Sequence, residues 1–260
     1  MKKKLVGFSA ACIAAGLVFF FMALALFKFD LSKMDTGNSV TETYPVEDTF
    51  KNISVEAGCD VYVKPSEDGS CTVVCTDDEK IRHSVIVENG TLTIKNEDDR
   101  KWYEHIAFGF FLIESKITVY LPEQEYESFV IGTASGDVEV ESCNADAVTI
   151  KTASGDVGLE SCNADTVTVE TTSGEAALKD CMAGSLEIET TSGDVELEDC
   201  DADAIKIRTT SGDVNGVLLS EKRFTADTKG GEVDLPASAS GGTCDIKTKS
   251  GDIEISLKDD

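Results

Sequence analysis

Through the second half of the chain, apolar and polar residues alternate over short runs, and the runs return at a fixed interval. Val138, Val157, Ala176, Val195 and Val214 stand 19 residues apart, with Val140, Leu159, Leu178 and Leu197 two residues further on. A second set, Val148, Val167, Leu186, Ile205 and Phe224, is followed two residues later by Ile150, Val169, Ile188, Ile207 and Ala226. Alternation of period two puts every second side chain on one face of a strand. Each 19-residue unit therefore predicts two short strands with inward apolar columns. Thr152, Thr171, Thr190, Thr209 and Thr228 complete the inner face of the second strand.

Two corners separate these strands. Ser135, Ser154, Ser173, Ser192 and Ser211 open a Ser-Gly-Asp-Val corner or a close variant, and Gly230 continues the series; Cys143, Cys162, Cys181 and Cys200 mark the other corner. Glycine at the first corner is expected to supply a positive φ. A strict period with apolar residues at fixed phases is the mark of a solenoid. One turn cannot fold alone, because six buried apolar side chains at about 2 kcal/mol each fall short of about 1.5 kcal/mol of entropy per ordered residue. Stacking of parallel strands about 4.8 Å apart supplies the difference. A sandwich of hairpins would carry turn signals at varying spacings instead.

The expected fold is all-β: a right-handed parallel β-solenoid with two strands per 19-residue turn, preceded by one N-terminal transmembrane helix. At the far end, Leu219 takes the fifth cysteine's place, Gly216 interrupts the second inward column, and Lys249 to Ile255 form an atypical last turn. Upstream, Ile53 to Val55, Val61 to Val63, Cys71 to Val74, Val85 to Val87 and Leu92 to Ile94 alternate without the fixed interval and read as irregular opening turns. The resulting plan has a Lys-rich start and anchor at 1–28, a polar stalk at 29–47 and an ectodomain at 48–260. Within the ectodomain, 48–130 are opening turns and 131–258 regular repeats.

Residues 5–27 carry no charge and follow Lys2, Lys3 and Lys4. At about 1.5 Å per residue that run is long enough to cross a hydrocarbon core of about 30 Å. The positive-inside tendency leaves the start in the cytoplasm and the remainder outside. A cleaved secretory signal ending near Ala23-Leu24-Ala25 is the competing reading, although its apolar stretch is usually only about 7 to 15 residues.

The chain has 23 Lys and Arg against 49 Asp and Glu, a net charge of −26; without Lys2, Lys3, Lys4 and Lys28 the exported part carries 19 − 49 = −30. Such acidity excludes nucleic acid as a partner and opposes direct adhesion to anionic polymers. Asp137, Asp156, Glu175, Asp194, Asp213, Glu232 and Asp252 all follow the corner glycine. Stacking places neighbouring carboxylates about 5 Å apart, at roughly 1 kcal/mol per pair in water. Backbone amides relieve that cost in one reading, and calcium ions held by Asp137, Asp156, Glu175, Asp194, Asp213 and Asp252 in the other. At the cysteine corner, Asp146, Asp165 and Asp203 stand beside Asn144, Asn163 and Asp201, with Gly184 and Met182 as exceptions. This oxygen-rich ledge suits ions, sugar hydroxyls or simple Asx turns.

Eight cysteines lie beyond Cys12. Stacked side chains run parallel, too wide for an unstrained disulfide, so Cys143, Cys162, Cys181 and Cys200 read as buried wedges. Cys59 with Cys71 or Cys75 is the better disulfide candidate. His83 and His105 sit in no nucleophile or metal motif and read as exposed loop residues. No catalytic residue is assigned, because the acids recur on every turn, whereas a polysaccharide-cleaving β-helix needs particular acids in a cleft. One segment breaks the alternation: it holds Trp102, Tyr103, Phe108, Phe110 and Phe111. It is expected to cap the first turn, with membrane contact or partner docking as alternatives.

Phe50, Ile53 and Val55 as "Phe-x-x-Ile-x-Val", Asp60 to Val63 as "Asp-Val-x-Val", the Leu121-Pro122 strand end and the tandem Ser-Gly-Asp-Val turns together resemble the bacterial "putative adhesin" domains of unknown function. The likeness covers nearly all of residues 48–258. The resemblance implies a membrane-anchored β-solenoid of the cell envelope and no catalytic residues. The expected function is a non-enzymatic surface module for adhesion or scaffolding in envelope homeostasis, binding an envelope protein or glycan; a polysaccharide-cleaving enzyme and a calcium-binding surface protein are the alternatives.

Overall fold

The computed structural model describes residues 39–78, 81–98, 115–238 and 240–258, which fold as twenty strands with no helix. The expected helix at 5–27, the start of the stalk and the Trp102 to Phe111 segment lie outside the described residues. Among the described residues no helix is long and apolar enough to cross a membrane.

The N-terminal strands are β1 (Ser39–Val46), β2 (Asn52–Ala57), β3 (Asp60–Pro65), β4 (Cys71–Asp78), β5 (Ile81–Glu88), β6 (Thr91–Asp98), β7 (Lys116–Leu121) and β8 (Tyr126–Thr133). The repeats supply β9 (Val138–Glu141), β10 (Asn144–Thr152), β11 (Val157–Glu160), β12 (Asn163–Glu170), β13 (Ala176–Lys179), β14 (Met182–Glu189), β15 (Val195–Arg208) and β16 (Val214–Leu218). The chain closes with β17 (Lys222–Asp227), β18 (Val233–Asp234), β19 (Gly242–Lys247) and β20 (Ile253–Leu257).

Through the repeats, strands pair in parallel at a register of 19: Val138 with Val157, Ala176, Val195 and Val214 on one sheet, and Val148 with Val167, Leu186 and Ile205 on the other. Valine, isoleucine and leucine in these columns are almost wholly buried, each contributing on the order of 2 kcal/mol.

Order along the chain and order in the stack part company at both ends. Ile205 pairs with Cys244 rather than Phe224, and Phe224 lies beyond Cys244; likewise Val214 pairs with Ile253, and Val233 lies beyond it. The turn formed by β19 and β20 is thus inserted between the fifth repeat and the turn of β17 and β18. The amino end mirrors this, since β2 lies between β6 and β8, and β3 between β7 and β9. A physical reason is visible at Gly216. Its missing side chain leaves room in the inward column, and Ile255 Cδ1 comes within 3.0 Å of where a Cβ would stand. All five residues of β16 find partners on β20, whereas β18 has only two to offer.

Three further expectations are corrected. The opening region is not made only of turns, because β1–β4, β4–β7 and β5–β6 pair antiparallel as added ribbons. Residues 39–46 of the expected stalk are the edge strand β1. A bulge after Leu197 places Leu218, not Leu219, opposite Cys200.

The corner glycines are required by contact rather than by φ. A Cβ on Gly155, Gly193 or Gly212 would lie 1.8–2.1 Å from the carbonyl oxygen of the glycine one turn below, yet of the stacked glycines only Gly174 and Gly251 have φ in the positive range, at 154° and 153°. The left-handed conformation sits at the other corner, on Ser142, Ser161, Asp180 and Asp199, with φ of 51–56°.

A candidate binding groove at the cysteine corner

In each repeat the left-handed residue turns the chain so that the following cysteine points inward. Cys162, Cys181 and Cys200 each donate to the carbonyls of the residues 22 and 2 positions earlier, at 3.2–3.6 Å. Equivalent bonds on successive turns mean equivalent rotamers, so the thiols form a single file. Hydrogen bonds with Cys143 and Cys181, helped by burial, push the Cys162 thiol up; a bond with Cys181 and burial do the same for Cys200.

Upstream the corner is wider. Four residues link β7 to β8 where the repeats need two or three, and β3 leaves the stack at Pro65. A cleft of about 250 Å³ opens there, with Val63, Leu121 and Tyr126 as its apolar side and Lys64, Gln124 and Asn144 as its polar side. Tyr126 is held rigidly: its hydroxyl donates to Pro122 O at 2.9 Å, its ring stacks on Phe50 at 6.1 Å and meets Phe129 edge-on at 5.8 Å. Lys64 is engaged with Glu141 at 2.8 Å.

The cleft continues along the corner as a more open shelf of about 590 Å³. Ala145, Ala164 and Ala183 form its floor, while Asn144, Asn163, Asp146 and Asp165 supply polar groups. Asn163 Nδ2 donates to Asn144 Oδ1 at 3.1 Å. Met182, 43 % exposed, adds an apolar step. Beyond it, Asp201 accepts from the buried ammonium of Lys222, which also lies 2.5 Å from Ser220 Oγ. The groove therefore offers amide donors and acceptors over a flat apolar floor, with carboxylates that disfavour anions.

The glycine-corner acids play a different part. Asp137 N–H donates to Asp60 Oδ1, Asp156 to Asp137, Glu175 to Asp156, Asp213 to Asp194, Asp252 to Asp213 and Glu232 to Asp252, all at 2.7–3.0 Å. These bonds relieve the carboxylate stacking, and among the described residues no three His, Cys, Asp or Glu side chains are placed to hold a metal ion. Glu175 interrupts the ladder: burial first, then the charge and hydrogen bond of Glu196, push its carboxyl up. Sequence reasoning missed Asp60 as the first rung, although its Asp-Val-x-Val run matches that of Asp137. It also missed Tyr126 and Lys222, which no periodicity marks.

His83 is not an exposed loop residue. It is buried on β5, with Nε2 3.3 Å from Asp77 Oδ2, while Ser115 Oγ donates to Asp77 Oδ1 at 2.6 Å. The hydroxyl thus meets the carboxylate rather than the imidazole, unlike an activated nucleophile. His105 lies outside the described residues.

The expected pairing of Cys59 with Cys71 or Cys75 is also corrected, because all eight described cysteines are free and buried. Cys71 and Cys75 lie four residues apart on one strand, about 13 Å. Burial, then the charges of Asp77 and Asp60, push the Cys59 thiol up to about 12; burial raises Cys244 to about 12 and Cys71 to about 11. An unfolded chain ionises these thiols near 9, so above that pH the folded state holds more protons and stability falls as pH rises. The melting temperature is expected to hold steady from pH 7 to about 8.5 and to drop progressively towards pH 11. An unchanged melting temperature at pH 11 would show that the thiols are not buried.

Comparison with known proteins adds the following. The Toastrack DUF4097 model matches residues 50–260. No curated protein matches. Among solved structures, a "putative adhesin" from Bacteroides fragilis is 17 % identical, with a TM-score of 0.50 over 84 % of this chain and 97 % of that one. A "putative cell adhesion protein" from Clostridium sporogenes is 12 % identical, TM-score 0.44, over 85 % and 100 %. A "putative lipid binding protein" from Parabacteroides distasonis is 18 % identical, TM-score 0.32, over 85 % and 98 %. At these identities the Bacteroides fragilis match shows the fold alone. The chain belongs to the Toastrack DUF4097 family.

Proposed function

We propose that this protein is a non-enzymatic binding module of the cell envelope. Residues 5–27 anchor it as a single-pass helix with Lys2, Lys3 and Lys4 on the cytoplasmic side, and the exported part is a right-handed parallel β-solenoid. The cysteine-corner groove holds a neutral, hydroxyl-rich polymer, an envelope or host glycan. The observation that carries this reading is the amide and carboxylate run of Asn144, Asn163, Asp146 and Asp165 over the Ala145, Ala164 and Ala183 floor, because such a shelf pairs hydroxyls on one side and sugar ring faces on the other. Recurring acids support architecture over catalysis, and the adhesin name of the Bacteroides fragilis neighbour points the same way.

The test is an oligosaccharide array probed with the purified full chain. Binding of neutral glycans is expected, and Asn144→Ala with Asn163→Ala should weaken it roughly tenfold or more, at about 1 kcal/mol per hydrogen bond lost. Binding that ignores both substitutions, or none at all, would refute the groove as the site.

A further inference from the structure

The carboxy-terminal end of the stack leaves one strand half-used. On one side β17 pairs with β19, and among the described residues no strand pairs with its other side. Its exposed row of N–H and C=O groups is a template for another strand. Phe224 and Ala226, which face the interior, are only partly buried because no turn lies above them, while Arg223, Thr225 and Asp227 face solvent.

The sequence of β17 is self-complementary in one antiparallel register. Centred on Thr225, two copies of Lys-Arg-Phe-Thr-Ala-Asp place Arg223 opposite Asp227 on the outer face, twice by symmetry. Phe224 then meets Ala226 on the inner face, large against small, also twice. Directly opposed pairs of this kind are what stabilise antiparallel sheets, and an isologous contact requires this self-complementarity. Neither Arg223 nor Asp227 has an ion-pair partner among the described residues.

The charge distribution favours this end. Residues 131–200 carry 2 basic and 16 acidic side chains, or −14, whereas residues 201–260 carry 8 and 12, or −4. Two copies of so acidic a chain repel each other least where the net charge is smallest. We propose that β17 is a homodimerisation edge, pairing antiparallel with β17 of a second copy about a two-fold axis at Thr225, so that the ladder of one copy continues into the other.

The experiment uses the full chain in detergent, with molar mass by light scattering and cross-linking in parallel. The unaltered chain is expected to run as a dimer. Arg223→Asp, which sets two acids against each other, should weaken it at least tenfold, and Arg223→Asp with Asp227→Arg should restore it, since both residues are exposed and the swap re-forms each pair. Thr225→Cys should give a dimer band on mild oxidation that reducing agent removes. Monomers at every concentration without a Thr225→Cys band would overturn the proposal. So would a dimer indifferent to Arg223→Asp, which would lie on another surface or on the apolar N-terminal segment.

Discussion

Replacing Gly193 by alanine is expected to destabilise the fold by more than about 4 kcal/mol, the range reached only when a buried contact becomes impossible. The added Cβ would stand 1.8 Å from the carbonyl oxygen of Gly174, and that oxygen belongs to backbone tied into the stack. No side chain can swing aside to relieve it. Gly158→Ala is the matched control. It lies on β11 with nothing nearer than 3.7 Å, the Glu139 Cγ, so alanine there should be neutral or stabilise by about 0.5–1 kcal/mol through the unfolded state. Denaturant unfolding of the two variants checks both values. Equal, small effects would mean that the glycine corners are not packed carbonyl against Cα.

The second large effect concerns the inserted turn. Deleting residues 242–258 removes β19 and β20, which separate the fifth repeat from β17 and β18. In a chain stacked in sequence order such a cut would trim the outermost turn and leave the next one in place. Here it strips β17 and β18 of their hydrogen-bonding neighbours as well. Amide hydrogen exchange should show residues 222–234 losing protection together with the deleted turn, while β9 to β14 keep theirs. Retained protection across 222–234 would contradict the insertion.

What the sequence revealed, and what it hid, follows from which physical quantity has a periodic signature. The columns headed by Val138 and Val148 were legible because burial repeats every 19 residues, and each turn must present the same faces to its neighbours. The stacking order of the last turns was not legible, because Phe224 and Cys244 are both apolar and either suits the place above Ile205. The deciding feature, the gap at Gly216 filled by Ile255, is a matter of volume in three dimensions. The glycine corner was recognised for the wrong reason, since a close approach of backbone leaves the same residue in the sequence as a positive φ does. The left-handed corner escaped notice because the position is serine in two turns and aspartate in the next two, with no fixed residue type. Of the groove, the Asn144, Asn163, Asp146 and Asp165 ledge was visible as a column, whereas the cleft beside Tyr126 depends on a wider bend outside the repeat. His83 looked like a loop residue because its strand is an antiparallel addition with no counterpart in the repeats.

The account rests on evenly stacked turns whose final two are exchanged in space. Pulsed electron spin resonance on the doubly labelled variants Thr149→Cys/Thr225→Cys and Thr149→Cys/Asp245→Cys tests it most directly, since all three positions occupy one outward column. At about 4.8 Å per step, Asp245 lies four steps from Thr149, about 19 Å, and Thr225 five steps, about 24 Å. The longer distance must belong to the Thr225 pair; a longer distance for Asp245 would mean that the turns stack in chain order and that the proposed topology is wrong.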